Sequence, residues 1–473
     1  MSLYIKRREL SWSGLQKRAL YLLWCKVVGP LSHAIYYKSA MELLFPYGES
    51  EKSIRLPRGL KCERLSTNPL PAAPNPVDAV RRALRNPIGT PPLREIVHAG
   101  ERVAIIVNDI TRLVHSEVFL PVLIEELNAA GISDRDIFIV FSLGIHRRQS
   151  PEEQTRVVGE EIAHRVALYD HDCYDREGLV SIGHTSRGNE VWVNRKVREA
   201  DRVILTGEII YHLIAGYSGG RKSLVPGVAG AQTTTFNHKL ILDPRCRAGI
   251  LEGNPAHEDL LEACHMFGPD FLLNVILSPE GELIRVVAGH YDQAHRAGCK
   301  TVDQLYQVPF DGSYDVVLAS AGGFPFDIDL RQAHKGMENA FRALRTGGVL
   351  IYFAQCRDGA GHPALEEWVK RFSNSAQMRK ALHSEFVVGG HKAYWLVRLG
   401  ESSRILLVSD LPDAFVRCCR LHPVTDPQAA VENEFLRLPA DSRVAYLPHA
   451  GFTFPVLAGE ETQDAQSGSG GRS

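Results

Sequence analysis

Short apolar runs alternate with longer stretches of helical spacing along most of this chain. The runs at 102–108, 136–142, 202–206, 314–320, 348–354 and 404–409 are rich in Val, Ile, Leu and Phe and lack polar alternation. Such runs predict strands covered on both faces, the habit of parallel sheets. Between them, 119–130 has helical spacing and stops at Gly131, a favourable C-terminal cap. Ser150, Pro151 and the acids that follow predict a helix over 151–159, with Ser150 as cap and Pro151 in the first turn. A further helix is expected over 291–306. Alternation of this kind predicts an α/β fold: two α/β domains with mainly parallel sheets and an active site in the cleft between them.

The same pattern sets expected limits. Residues 1–40 are basic, rich in Trp and Tyr and without clean periodicity, so they are expected to be an extension outside the fold. An N-terminal domain is expected over 41–308 and a C-terminal domain over 309–440, with a terminal strand in 441–456 returning to the first. The Gly/Ser-rich stretch 457–473 is expected to be a disordered tail. No internal repeat is visible.

Composition narrows the classes. Of 473 residues, 54 are Lys or Arg and 55 are Asp or Glu, a net charge of −1. That balance argues against a nucleic-acid partner. No apolar run reaches the roughly 18–20 residues of a membrane span, so no membrane partner is expected. Nine scattered cysteines without a C-x-x-C pair point to reduced thiols and a cytoplasmic protein.

In sheets of this kind, ligands sit where the strands end. The first run ends in Asn108-Asp109-Ile110-Thr111-Arg112. Asp109 and Arg112 read either as a local salt bridge capping a helix or as a hydroxyl acceptor beside an anion clamp. The second ends in Gly144-Ile145-His146-Arg147, where His146 is placed for acid–base work. The third leads through His212 into Ala215-Gly-Tyr-Ser-Gly-Gly-Arg-Lys-Ser-Leu-Val-Pro-Gly227. Gly219 and Gly220 permit close backbone approach, and Lys222 follows them. The spacing is neither that of a Walker A loop nor G-x-G-x-x-G. Phe236-Asn237-His238 reads as a second polar insertion. Gln332-Ala-His-Lys335 opens a helix, where a lysine opposes the dipole and calls for an anionic partner.

Together these motifs resemble the nickel-dependent lactate racemase family over roughly residues 41–456. The resemblance rests on Asp109-x-x-Arg112, Gly144-x-His146-Arg147, His212, Ala215 to Gly227 with Lys222, Phe236-Asn-His238 and Gln332-x-x-Lys335-Gly336, all in the family's order. It implies a nickel-pincer nucleotide, pyridinium-3-thioamide-5-thiocarboxylic acid mononucleotide carrying Ni, joined to Lys222 in the N-terminal domain. His238 would be the protein ligand of the nickel, a metal that imidazole suits. Asp109, Gly219, Gly220, Arg221 and Ser223 would hold the cofactor. His146 and His212 would be the acid–base pair, and Arg112, Lys335 and Gln332 would bind a small 2-hydroxy acid. The C2 hydrogen would move as hydride to the pyridinium ring and back. The cofactor-building proteins would be partners.

Two positions depart from the lactate-specific pattern. Arg331 stands where those members carry a tyrosine, and His391 replaces a tryptophan. Both make the pocket more polar, so the expected substrate is larger or more polar than lactate, such as a dicarboxylic or sugar acid. Competing readings are an aldonate 2-epimerase with the same cofactor and a non-catalytic nickel or nucleotide binder. An NAD-dependent dehydrogenase would need the dinucleotide glycine turn that is missing.

Overall fold

The computed structural model describes residues 41–57, 60–439 and 441–458. The expected extension at 1–40 and the tail from 459 onward lie outside the described residues.

Two six-stranded sheets organise the chain. The first runs, edge to edge, Leu283–Gly289, Phe271–Leu277, Arg202–Glu208, Val103–Val107, Ile137–Phe141 and Ala167–Asp170. All its pairings are parallel except that of the edge strand Leu283–Gly289, which is antiparallel. Its central strand shows why the sequence there is apolar throughout. Val103, Ile105 and Val107 enter one core, with Phe119, Leu123 and Leu127 of helix Ser116–Ala129. Ala104 and Ile106 enter the other, with Leu260, Ala263 and Cys264 of helix Pro255–Phe267.

The second sheet is wholly parallel: His422–Pro423, Arg404–Val408, Leu344–Phe353, Tyr314–Ser320, Val444–Leu447 and Cys62–Arg64. One face packs on helices Leu330–Ala343 and Gly390–Ser402 through Val317, Ala319, Leu350 and Tyr352. The other is covered by the hairpin Glu42–Tyr47 and Ser50–Arg55, whose Phe45 stacks on Phe353 with ring centroids 4.2 Å apart.

Several expectations are corrected here. Residues 42–57 and 60–64 pack with the second sheet, because their apolar positions, together with Val431 of helix Pro427–Phe435, cover its other face. Val444–Leu447 likewise pairs with Tyr314–Ser320 and does not return to the first sheet. The segment at 308–309, expected as a boundary, lies inside strand Gln307–Phe310, which pairs in parallel with Phe454–Leu457. That short ribbon packs between the two halves: Phe454 stacks on Tyr211 at 4.1 Å, and Arg342 lies 4.1 Å over its ring. The helix at 151–158 forms with both halves of its capping box, Ser150 and Glu153, in place. No helix among the described residues is long and apolar enough to cross a membrane.

Candidate active site

Each sheet has a point where the strand order reverses, and a crevice opens there at the carboxyl ends. In the first sheet it falls between Val103–Val107 and Arg202–Glu208, which are neighbours in space although other strands intervene in sequence.

Asp109 lies just past the first of these strands and is 3% exposed. Its Oδ1 accepts from the Thr111 hydroxyl (2.6 Å) and N–H (3.1 Å), and its Oδ2 lies 2.6 Å from His146 Nδ1. The imidazole therefore donates Nδ1–H to the carboxylate and keeps its lone pair on Nε2. Burial alone raises the Asp109 carboxyl, but the bonds from His146 and Thr111 and the charge of Arg112 outweigh it and hold it below the ordinary range. Asp109 thus pairs with His146 and not with Arg112. Its carboxylate, expected at the cofactor, holds that histidine.

His212 sits on the strand Tyr211–His212, paired antiparallel with Gly216–Tyr217. Asp303 anchors this hairpin by accepting from the hydroxyls of Tyr211 (2.6 Å) and Tyr217 (2.7 Å). His212 Nδ1 accepts from the N–H groups of Ile214 and Ala215, both at 3.2 Å, which leaves the ring proton on Nε2. Burial first, then the charges of Lys222, Arg112, His238 and Lys392, pull its pKa well below the ordinary value.

The glycine-rich segment makes a tight turn, Gly220–Ser223, that is wedged against the sheet. Gly219 has φ +68°, and a Cβ there would stand 2.8 Å from Asn274 Oδ1 and 2.9 Å from the Glu208 carbonyl. A turn buried this closely must satisfy its polar groups within the fold. Gly220 N–H donates to Asn274 Oδ1 (2.8 Å), Arg221 donates to the Ala215 carbonyl (2.7 Å), and Ser223 Oγ donates to the Thr206 carbonyl (2.6 Å). These bonds from Gly220, Arg221 and Ser223, all three expected at the cofactor, also shape the loop, and Arg221 Nε is left without a partner. Lys222 differs from its neighbours in the turn. Its ammonium has no bonded partner among the described residues, and burial, then Arg112 and Arg221, hold its pKa well below the usual lysine range.

His238 lies on helix Ala231–Lys239, where a polar insertion was expected. Its Nδ1 donates to the Thr234 carbonyl one turn back (2.9 Å), which leaves Nε2 without a proton. Burial, then the charge of Lys222, bring its pKa down to about 4.

The opposite wall comes from the second sheet. Asp329 caps helix Leu330–Ala343 by accepting from Gln332 N–H (2.7 Å). Lys335 lies in the second turn, not at the helix start, and donates to Gln332 Oε1 (2.7 Å). It faces the open cleft, yet crowding pushes its pKa down to about 8, by burial first and then by Lys392, Arg112 and Arg331. Arg331 Nε and His391 Nδ1 are buried without partners. Arg112 unites the whole set, since its charge acts on Asp109, Glu208, His212, Lys222 and Lys335.

Residues 47–249 match the family model of the lactate racemase N-terminal domain, and 311–452 match that of the C-terminal domain. The chain belongs to the lactate racemase family. It is an isomerase, a racemase. It is 31% identical over 414 residues to the lactate racemase of Thermoanaerobacterium thermosaccharolyticum, covering 85% of this chain and 96% of that protein. It is 35% identical over 286 residues to the lactate racemase of Lactiplantibacillus plantarum, covering 60% of this chain and 67% of that one. The structure of the lactate racemase apoprotein from the Thermoanaerobacterium superposes with a TM-score of 0.80 at 30% identity, over 88% of this chain and all of the other. A Thermotoga maritima protein structure shares the fold, with a TM-score of 0.60 at 18% identity, over 82% of this chain and all of that one.

For a lactate racemase family member, two cleft residues escaped the sequence reading. Glu208 closes strand Arg202–Glu208, two residues beyond the expected strand end. Burial pushes its carboxyl up to about 7, against the pull of Arg112, His115 and Lys335. Lys392 adjoins His391 on helix Gly390–Ser402; burial lowers its pKa, with Arg331 adding to the effect and Glu338 opposing it. Both positions were readable as polar residues at element ends, but only cross-cleft proximity gives them weight.

Proposed function

We propose that this racemase inverts C2 of a 2-hydroxy acid larger or more polar than lactate, with a nickel-pincer nucleotide joined to Lys222. The observation that carries this reading is the meeting of Lys222, His238, His212 and Arg112 in one crevice, each within electrostatic reach of its neighbours.

The residues fit such a group. Lys222 offers an enclosed, deprotonation-prone amine, as an acyl-type linkage requires. His238 offers a neutral Nε2 fixed by the Thr234 bond. Among the described residues no three His, Cys, Asp or Glu side chains converge on one point, so His238 would be the protein's ligand to a nickel whose other ligands the nucleotide would supply. When bound, the nucleotide supplies a site that accepts the C2 hydrogen as hydride and returns it.

The chain's own groups do the rest. Arg112, with its fork of donors, and Lys335 hold the substrate carboxylate, and Gln332 aims the lysine. His146 takes the hydroxyl proton at Nε2 while Asp109 holds the tautomer. His212 presents Nε2–H to the oxygen from its own side. Arg331 and His391 form the polar end of the pocket.

The test is intact mass and nickel content of chain co-produced with cofactor-building proteins, followed by chiral analysis of a panel of 2-hydroxy acids. An adduct at Lys222, stoichiometric nickel and racemisation are expected. A chain that stays unmodified under those conditions would rule the reading out.

A pH dependence follows from Glu208. Its pKa lies raised, at about 7, so it is neutral below that pH and anionic above it. Once ionised, it competes with the substrate carboxylate for Arg112 and Lys335. KM is expected to rise as pH passes upward through about 7, and again as Lys335 loses its proton near 8. Glu208→Gln should remove the first rise and leave the second. An unaltered KM–pH profile in this variant would show that Glu208 does not face the substrate.

A further inference from the structure

We propose that Arg331 and Lys392 form a second anion clamp, so that the substrate is a 2-hydroxy acid with another anionic group at its far end. The inference rests on the racemase reading above and names the substrate class of that site.

The cleft holds more positive charge than one carboxylate needs. A bidentate arginine with one lysine satisfies a carboxylate, and Arg112 with Lys335 supplies that. Two more cations stand beside them. Arg331 is one helical turn from Lys335 on helix Leu330–Ala343, and Lys392 is in the first turn of helix Gly390–Ser402, which packs against it. Neither has a carboxylate within salt-bridge distance, nor any hydrogen-bond partner, among the described residues.

The surroundings favour an anion further. Both residues lie in helix-initial turns, where the N-terminal dipole adds positive potential instead of relieving it. His391, beside Lys392, is 7% exposed and stacked on Phe386 at 5.6 Å, and its Nδ1 has no partner. The buried Arg331 Nε is also unpartnered. Of the nearby carboxylates, Asp329 caps its helix, while Glu338, 3.6 Å from a His334 held neutral by burial, lies within electrostatic reach of Lys392 but makes no hydrogen bond or ion pair with it, which leaves Arg331 as the cation with no carboxylate facing it. Crowded cations that make no ion pair, one of them with a buried Nε–H that finds no acceptor, are costly until an anion arrives. The pair sits on the second sheet's helices, across the cleft from Lys222 and His238. A carboxylate reaching from a short 2-hydroxydicarboxylic acid, or a phosphate on a phosphorylated 2-hydroxy acid, shares the required chemistry.

The test uses nickel-loaded protein and three substrates: a 2-hydroxydicarboxylic acid, a phosphorylated 2-hydroxy acid and a 2-hydroxymonocarboxylic acid of matching length. Wild type is expected to prefer one dianionic substrate, and which one it prefers identifies the group. A charge-assisted bond is worth about 10- to 100-fold; Lys392→Met and Arg331→Met should each reduce the dianion-to-monoanion ratio of kcat/KM by that much, mainly through KM. The Lys222 adduct and nickel content should stay intact. An unchanged ratio in both variants overturns the proposal. So does loss of adduct or nickel, which would assign the pair to the nucleotide phosphate. If no 2-hydroxy acid is racemised, the racemase reading fails separately. Calorimetric binding of the dicarboxylate to loaded wild type and Lys392→Met still decides the clamp: tighter binding to wild type supports it, and equal binding overturns it.

Discussion

Lys222→Ala is expected to abolish turnover, with a fall of at least about 10³-fold, since a covalently placed reactant accounts for several powers of ten in effective concentration. Its intact mass should equal the unmodified chain under loading conditions that modify wild type. The argument starts from burial. Lys222 lies on the turn Gly220–Ser223 with its amine in the crevice, unpaired, beside Arg112 and Arg221. An ammonium there is penalised by desolvation and by like charge, so the free amine is favoured, which is the nucleophilic form. Lys222→Arg should fail equally, because a guanidinium stays charged and does not acylate. Stability should move the other way. An unpaired buried cation is a cost to the fold, so unloaded Lys222→Met should melt no lower than unloaded wild type. An adduct persisting in Lys222→Ala would remove this lysine from the chemistry.

The strands were readable in the sequence where burial on both faces forced unbroken apolar runs: 314–320 was matched residue for residue by Tyr314–Ser320. Helix Pro151–Val158 was readable because its cap is local. What could not be read was non-local. Nothing within Glu42–Tyr47 says that it covers strands more than two hundred and fifty residues away, Tyr314–Ser320 and Leu344–Phe353, because that contact exists only once the sheet is assembled. The helix Ala231–Lys239, with Thr and Asn in place of strong helix formers, is held by tertiary burial of Thr233, Thr234 and Asn237. The site divides in the same way. His146, His212 and Lys222 follow strand ends and were visible as such; Lys335 was visible as a lysine near a helix start, although it lies in the second turn. The inward bonds of the turn residues Arg221 and Ser223, to the Ala215 and Thr206 carbonyls, could not be read from spacing. Glu208 and Lys392 gain meaning only when the two sheets face each other.

His146→Asn is expected to lower kcat by about 10²- to 10⁴-fold, the range for removing a positioned acid–base group, while mass and nickel analysis still find the cofactor in place. Asp109→Asn should reproduce much of that loss without touching the histidine. The 2.6 Å contact makes Asp109 the acceptor of Nδ1–H, and its low carboxyl pKa keeps it ionised through the working range. An asparagine amide can donate to Nδ1 instead, which places the ring proton on Nε2 and removes the lone pair that accepts the substrate proton. The double variant should then be scarcely worse than His146→Asn, since both changes break one device and such losses do not add. His212 provides the contrast. Its tautomer is set by the Ile214 and Ala215 amides, with no carboxylate involved. His212→Asn should therefore cost a comparable factor that combines multiplicatively with Asp109→Asn. If instead the Asp109 and His146 losses multiplied while Asp109 and His212 overlapped, the tautomer assignments would have to be exchanged, and His212 would be the histidine that Asp109 serves.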